Sequence, residues 1–283
     1  MYKRQPHLLL HGLGASALSW VDVAGPIAER GPVIAPDLTG FGLSEPPVGH
    51  RVTVDSAVRD VVTLLDHLGH DQVVLHGNSL GGYLAALVAA RHPDRVAGLV
   101  LASPAMPVRP HRAWPPPKAI LLGLGPLALP GVGEGLLALA ASRDEDPMMA
   151  NDTLLEATFA DPDAMTAEEY TLLYEDEVAM FSAPWRRRAL LSMTRSVLAA
   201  TMRPGAWREL RRITAPTVLL WGAQDRLLPG GMLSEVREHR PDWDVRVLDD
   251  VAHVPQIDRP DAYVEAVDDV LVAALGTSLD QTG

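Results

Sequence analysis

The sequence predicts an α/β fold, in which a mostly parallel, doubly wound sheet carries an inserted helical lid. Short β-type runs alternate with helix-length amphipathic segments through most of the chain, which is typical of a parallel sheet with helices on both faces. The alternation fails between residues 105 and 212, where a proline-rich opening precedes wholly helical patterns. We therefore expect a core from residues 1–104 and 213–283, with residues 105–212 as the lid.

The individual elements follow from these patterns in chain order. Apolar runs of strand length predict strands at His7–Leu10, Val33–Ala35, Gln72–Leu75, Val96–Leu101, Thr217–Trp221 and Val245–Leu248. The amphipathic segments between them predict helices near Leu18–Arg30, Val54–Leu68, Leu80–Arg91, Gly231–His239 and Asp261–Leu275. Parallel strands bring their carboxyl ends to one edge of the sheet, so residues that follow these strands should share one crevice.

Composition excludes several classes of function. The 283 residues, 47% of them hydrophobic, can form one large core with an inserted subdomain. There is no cysteine, which excludes disulfides, thiolate catalysis and thiolate metal sites and is compatible with a cytoplasmic location. The formal net charge of −12 argues against nucleic acid as a partner, because phosphates need a basic surface.

One segment has the length and apolar character of a membrane span. Residues 119–141 carry a single charge, Glu134, yet they also contain several glycines together with Pro126 and Pro130. Because these residues break a spanning helix, we expect two short helices joined by a proline- and glycine-containing turn. The prediction is that the chain has no integral membrane segment.

The stretch HGNSLGG at 76–82 places a serine where a predicted strand gives way to a predicted helix. A sharp turn there strains the backbone, and the small residues Gly77 and Gly81 let strand and helix approach each other. Ser79 would hold its hydroxyl above the sheet, at a helix N-terminus that favours negative charge. This is the nucleophile-elbow pattern, so we predict that Ser79 is a nucleophile rather than a helix cap.

A serine nucleophile needs a base and a carboxylate that orients the base. Asp225 and His253 follow the fifth and sixth predicted strands, at the ends where such groups are expected. The alternatives Asp249, Asp250 and Asp258 lie on the same short loop as His253, from which they would reach the imidazole poorly. We therefore predict Asp225 as the orienting acid and His253 as the base.

The loop HGLG at 11–14 allows two interpretations. In the first, the backbone N–H groups of Leu13 and Leu80 form an oxyanion hole. In the second, Gly12 and Gly14 begin a dinucleotide-binding loop and Asp37 binds a ribose, which would make the protein an oxidoreductase. The hydrolase interpretation is favoured, because the second leaves the serine motif and the later acid and histidine without a role.

His11 and His76 also lie at strand ends, so they could converge with His253 on a metal ion. The topology brings every such end to the same crevice, and no carboxylate stands at ligand spacing. We therefore predict no metal and no cofactor, with His11 and His76 as structural histidines bonded to the backbone.

The motifs together resemble the α/β-hydrolase superfamily, in its lidded esterase, lipase and meta-cleavage hydrolase branch. They are HGLG at 11–14, PDLTGFGLS at 36–44, HGNSLGG at 76–82, HPDRV at 92–96, WGAQDRLLP at 221–229 and AHVPQIDRP at 252–260. The order serine, aspartate, histidine matches that family. Members generally have two strands before the HG loop, and only ten residues precede His11, so we expect the N-terminal strand hairpin to be missing.

The resemblance implies a hydrolase but not its substrate. Ser79 departs from the epoxide hydrolases and haloalkane dehalogenases, which use aspartate there. Asn78 is shared with many carbon–carbon bond hydrolases of meta-cleavage pathways, which usually carry tryptophan where this chain has Val254. We predict a serine esterase for small-molecule esters with an apolar, medium-sized acyl or alcohol part, with a meta-cleavage-type hydrolase as the alternative. The predicted pocket residues are Asn78, Met148, Met180, Trp185 and Val254.

Overall fold

The computed structural model describes residues 5–141, 152–162, 166, 171, 175 and 183–280. Its six strands form one sheet in which every described pair is parallel, in the order β2-β1-β3-β4-β5-β6. The strands are β1 His7–Leu10, β2 Val33–Ile34, β3 Val73–Asn78, β4 Val96–Ala102, β5 Thr217–Gly222 and β6 Asp244–Leu248. The predicted α/β class is confirmed, and each predicted strand is present.

Helices cover both faces of this sheet. They are α1 Val21–Ala28, which follows a 3₁₀ turn at Ala17–Trp20, α2 Val54–Leu68, α3 Leu80–Arg91, α9 Gly231–His239, α10 Pro255–Asp258 and α11 Pro260–Asp280. Alternate strand residues point to opposite faces. Leu8 and Leu10 therefore belong to the core under α2 and α3, whereas Leu9 packs with the core that includes residues of α1 and α11. The sheet is thus doubly wound, as predicted.

The strand order changes direction between β1 and β3, which are neighbours in space but not in sequence. In open α/β sheets such a switch point opens a crevice at the carboxyl ends of the strands. Here the segment after β1 begins at His11, and Ser79 follows β3. The topology therefore brings the first loop and the serine motif to the same place.

Between β4 and β5 the regular secondary structure that the described residues form is helical, and loops connect the helices. This part of the chain contains a π-helical turn at Ile120–Leu124, then α4 Gly125–Ala128, α5 Val132–Ala141, α6 Asp152–Thr158, α7 Pro184–Thr201 and α8 Ala206–Leu210. The chain bends by 109° between Ile120–Ala128 and Val132–Ala141, where the sequence predicted a break. Of the described helices, none is by itself long and apolar enough to cross a membrane, although this bent pair would pass by length and composition.

Three buried aromatic side chains, from β1, β3 and α11, are joined by hydrogen bonds on one face of the sheet. His76 Nδ1 lies 3.0 Å from the hydroxyl of Tyr263, and His76 Nε2 lies 2.9 Å from Nδ1 of His7. All three side chains are fully buried. Burial lowers the pKa of His7 to about 4, with a smaller contribution from Arg30, and lowers the pKa of His76 well below its usual value. Both imidazoles are therefore neutral at pH 7.

The buried hydrogen-bonded group of His7, His76 and Tyr263 predicts that acid destabilises the fold. The unfolded protein takes up protons at these histidines near pH 6.5, whereas native His7 resists protonation down to about pH 4. The free energy of unfolding should fall as the pH drops through this window, by about 3 kcal/mol from His7 alone. Urea unfolding at several pH values measures this loss. A flat profile between pH 7 and 5 would contradict the account.

Candidate active site

Ser79 occupies a strained turn between β3 and α3. Its φ of 52° and ψ of −116° lie in a region that residues with a side chain rarely adopt, at a cost of about 1–3 kcal/mol. The turn is tight because glycine stands on both sides. A Cβ at Gly77 would collide with the Gly81 carbonyl, and one at Gly81 would collide with the carbonyl oxygen of Leu10. The predicted elbow geometry is present.

His253 and Asp225 form a buried pair beside this turn. His253 Nδ1 lies 2.8 Å from Asp225 Oδ2, and their side chains are 4% and 0% exposed. Asp225 Oδ1 accepts hydrogen bonds from the N–H groups of Leu227 and Leu228 at 2.9 and 3.0 Å. The carboxylate therefore places the imidazole proton on Nδ1 and leaves a lone pair on Nε2. Nε2 is buried and has no partner among the described residues.

Two of the other carboxylates on the histidine loop are engaged elsewhere. Asp258 accepts hydrogen bonds from the backbone N–H groups of Ala252 and Ala160. Asp250 pairs with Arg259 at 2.8 Å. Asp225 is therefore the acid that reaches the imidazole, although it is 28 residues away in the chain.

The first loop is held by His11, whose two ring nitrogens are both occupied. Nδ1 donates to the carbonyl of Gly12 at 2.8 Å, and Nε2 accepts from the N–H of Leu38 at 2.9 Å. Burial lowers the pKa of His11 to about 4, so it remains neutral. The prediction of a backbone-bonded histidine describes His11 but not His76, which bonds the side chains of His7 and Tyr263.

Two backbone N–H groups at this edge are free to bind an anion. Leu13 lies in the first loop, and Leu80 is the first residue of α3, where helix donors have no intrahelical acceptor. Neither N–H donates to another described residue. Both residues line the same cavity as Ser79 and His253. The arrangement can therefore stabilise negative charge on an oxygen next to the serine.

Asp37 does not bind a ribose in this arrangement. Its Oδ1 accepts from the N–H of Ala17 at 2.8 Å, and its Oδ2 accepts from the N–H of Leu43 at 2.8 Å. The carboxylate holds two loops together through both of its oxygens. Asp37 is therefore not available as the ribose-binding acid that the oxidoreductase alternative requires. Among the described residues, no group of three or more histidines or carboxylates has the arrangement of a metal site.

The cavity over Ser79 has a volume of about 430 Å³ and no charged side chain in its described lining. Asn78 and Val254 line it as predicted. Asn78 also donates through Nδ2 to the carbonyls of Ala102 and His253 at 3.1 and 3.0 Å, which fixes the histidine loop against β4. Met148 and Met180 lie outside the described residues. The apolar wall includes Val108, Ile120, Leu124, Phe159, Val197, Leu198, Leu228 and Met232, which the sequence did not single out as pocket residues.

Trp185 is a correction, because it is not part of the described lining. Helix α7 contributes Thr194, Val197, Leu198 and Thr201 to the cavity, all from its second half. Trp185 stands in the first turn, roughly 13 Å along the axis from Thr194 and on the opposite side of the helix. There its ring lies 5.0 Å beneath the guanidinium of Arg186.

The doubly wound sheet, the serine on a strained strand-to-helix turn and the buried aspartate–histidine pair define an α/β hydrolase. Residues 6–260 match the family model described as alpha/beta hydrolase fold. The chain therefore belongs to the α/β-hydrolase family.

The chain is similar to family members with different reactions. It is 29% identical to the 2-hydroxymuconate semialdehyde hydrolase of a Pseudomonas species, over 95% of this chain and 87% of the relative. It is 27% identical to haloalkane dehalogenase 2 of Mycobacterium tuberculosis, over 93% of this chain and 86% of the relative. A solved bacterial membrane phospholipase A superposes with a TM-score of 0.69 at 28% identity, covering 97% of this chain and 80% of that one. The family is thus fixed, while its reactions are diverse.

Proposed function

We propose that the protein is a serine hydrolase that cleaves carboxylic esters with an apolar, medium-sized acyl or alcohol part. The observation that carries this proposal is that Ser79 and His253 line one uncharged cavity, with Asp225 bonded to the far side of the imidazole. The helical insertion, residues 105–212, serves as the lid of this cavity. Several of its described residues contribute apolar side chains to the wall.

The reaction proceeds in two halves through an acyl-enzyme. Ser79 Oγ attacks the ester carbonyl carbon while His253 Nε2 takes the hydroxyl proton. The N–H groups of Leu13 and Leu80 stabilise the resulting oxyanion. The intermediate then expels the alcohol, which receives its proton from His253. Water, deprotonated by the same nitrogen, attacks the acyl-enzyme and releases the carboxylic acid and free Ser79.

The cavity lining favours neutral substrates. A carboxylate that enters an apolar cavity without a cationic partner loses its hydration, which costs several kcal/mol. The run Arg186–Arg188 could supply cations to anchor an acidic substrate, but none of these arginines belongs to the described lining. Carbon–carbon bond hydrolysis of a meta-cleavage type remains the alternative, because Asn78 and the Pseudomonas relative favour it.

A series of p-nitrophenyl esters tests the substrate class. Each methylene buried in the apolar cavity contributes up to about 0.8 kcal/mol, so kcat/KM should rise up to about four-fold per methylene until the cavity is full. We expect the butyrate and hexanoate esters to exceed acetate, with decanoate no better than hexanoate. If acetate is best, or a carboxylate-bearing ester or a meta-cleavage product is preferred over the neutral esters, the proposed substrate class is wrong.

A further inference from the structure

Asp258 joins two segments that are distant in sequence. It lies on α10, five residues after His253. Its Oδ2 accepts a hydrogen bond from the N–H of Ala252 at 2.8 Å, immediately before His253. Its Oδ1 accepts one from the N–H of Ala160 at 3.2 Å, which belongs to the helical insertion. One half-buried carboxylate thus bridges the histidine loop and the insertion.

The backbone of His253 makes a second, adjacent connection to the insertion. Its N–H donates to the carbonyl of Thr158 at 2.9 Å, and its carbonyl accepts from Asn78 Nδ2 at 3.0 Å. The histidine is therefore held between the insertion on one side and the residue before Ser79 on the other. Phe159 lies between the two hydrogen-bonded residues of the insertion, and its buried side chain lines the cavity.

We propose that Asp258 is a positioning residue, which keeps His253 in place by fastening its loop to residues 158–160 of the insertion. This inference rests on the proposed role of His253 as the base. The hydrogen bond from Ala252 restrains the loop directly before the histidine, while the bond from Ala160 keeps the insertion close enough for Thr158 to hold the histidine N–H. A displacement of about 1 Å in a reacting group can cost about 100-fold in rate.

The same connection couples the substrate to the base. A ligand that packs against Phe159 stabilises residues 158–160 in their docked position, where they hold His253. Asp258 transmits this docking through hydrogen bonds to backbone groups and does not itself line the cavity in the described structure. Its loss should therefore slow the chemical steps more than it weakens ground-state binding.

The first experiment replaces Asp258 with asparagine, which keeps the size of the side chain but leaves one acceptor oxygen for two N–H donors. Active sites are counted by fluorophosphonate titration, so that kcat refers to competent molecules only. We expect kcat per titrated site to fall at least about 10-fold, with KM within about two-fold of the wild type. Asp258→Glu, which retains two acceptor oxygens, should recover part of the loss.

Asp250→Asn is the matched control, because this carboxylate lies on the same loop but pairs with Arg259. It should leave kcat within about two-fold of the wild type, as expected for an exposed ion pair. Equal losses in Asp258→Asn and Asp250→Asn would overturn the proposal. The proposal would also be overturned if Asp258→Asn reduced the number of titratable sites while each remaining site kept the wild-type kcat. That result would indicate a purely structural role.

A second variant tests the connection from the side of the insertion. Ala160→Pro removes the N–H donor to Asp258 Oδ1 and leaves the histidine loop unchanged in sequence. This variant should lower kcat per site. In the double variant with Asp258→Asn, kcat per site should be no more than about two-fold below that of Asp258→Asn alone. Wild-type kcat in Ala160→Pro, or fully multiplicative losses, would contradict the coupling.

The proposed function and this inference fail in different ways. If wild-type protein is not labelled at Ser79 by the fluorophosphonate, the proposed function is wrong. If the wild type is labelled and turns over esters but Asp258→Asn behaves as the wild type, only the positioning role is wrong.

Discussion

Ser79→Ala is expected to lower ester-hydrolysis kcat by at least about four orders of magnitude, because it removes the hydroxyl that we propose forms the acyl-enzyme. The fold should be retained, since alanine keeps the Cβ at the strained turn. Initial rates with a p-nitrophenyl ester, on protein checked by circular dichroism, measure this loss.

Ser103→Ala provides the control for this substitution. Ser103 follows β4, is fully buried, also has a positive φ, 39°, and leaves its hydroxyl without a partner among the described residues. It is not part of the described cavity lining, so its replacement should change kcat by no more than a few-fold. Undiminished activity in Ser79→Ala, or an equal loss in Ser103→Ala, would exclude Ser79 as the nucleophile.

Asp225→Asn is expected to lower kcat by about 10⁴-fold without unfolding the protein. The carboxamide can donate to His253 Nδ1, which moves the imidazole proton to Nε2 and removes the lone pair that Ser79 requires. Its oxygen can still accept the N–H groups of Leu227 and Leu228, so the loop remains supported.

Asp249→Asn is the comparison for the acid. Asp249 is exposed on the histidine loop, and its backbone carbonyl accepts a hydrogen bond from the side-chain amide of Gln224. Its kcat should stay within about two-fold of the wild type, as is usual for exposed surface positions. If Asp225→Asn retains most of its activity, another group orients His253.

Much of this fold could be predicted because its local signals agree with its topology. The six strands lie within three residues of their predicted bounds, since aliphatic runs between loop residues determine a parallel strand directly. Residues at the carboxyl ends of such strands converge regardless of sequence distance. This is why the sequence alone groups Ser79, Asp225 and His253.

The remaining features depend on contacts that sequence periodicity does not contain. The apolar residues of α7 do not reveal which half of the helix faces the cavity, so Trp185 was assigned to the pocket wrongly. His76 was expected to bond the backbone, but its partners His7 and Tyr263 lie 69 and 187 residues away. The predicted helix Leu18–Arg30 begins as a 3₁₀ turn, in which Ser16 accepts a hydrogen bond from the N–H of Leu18.

Covalent labelling of Ser79 tests the central claim most directly. The wild-type protein is treated with one equivalent of a fluorophosphonate, and peptide mass spectrometry locates the adduct while residual esterase activity is measured. We predict one adduct, on the peptide that contains Ser79, with activity lost in proportion to labelling and with protection by a hexanoate ester. Full activity without an adduct at Ser79, or inactivation with the adduct on another residue, would contradict the account.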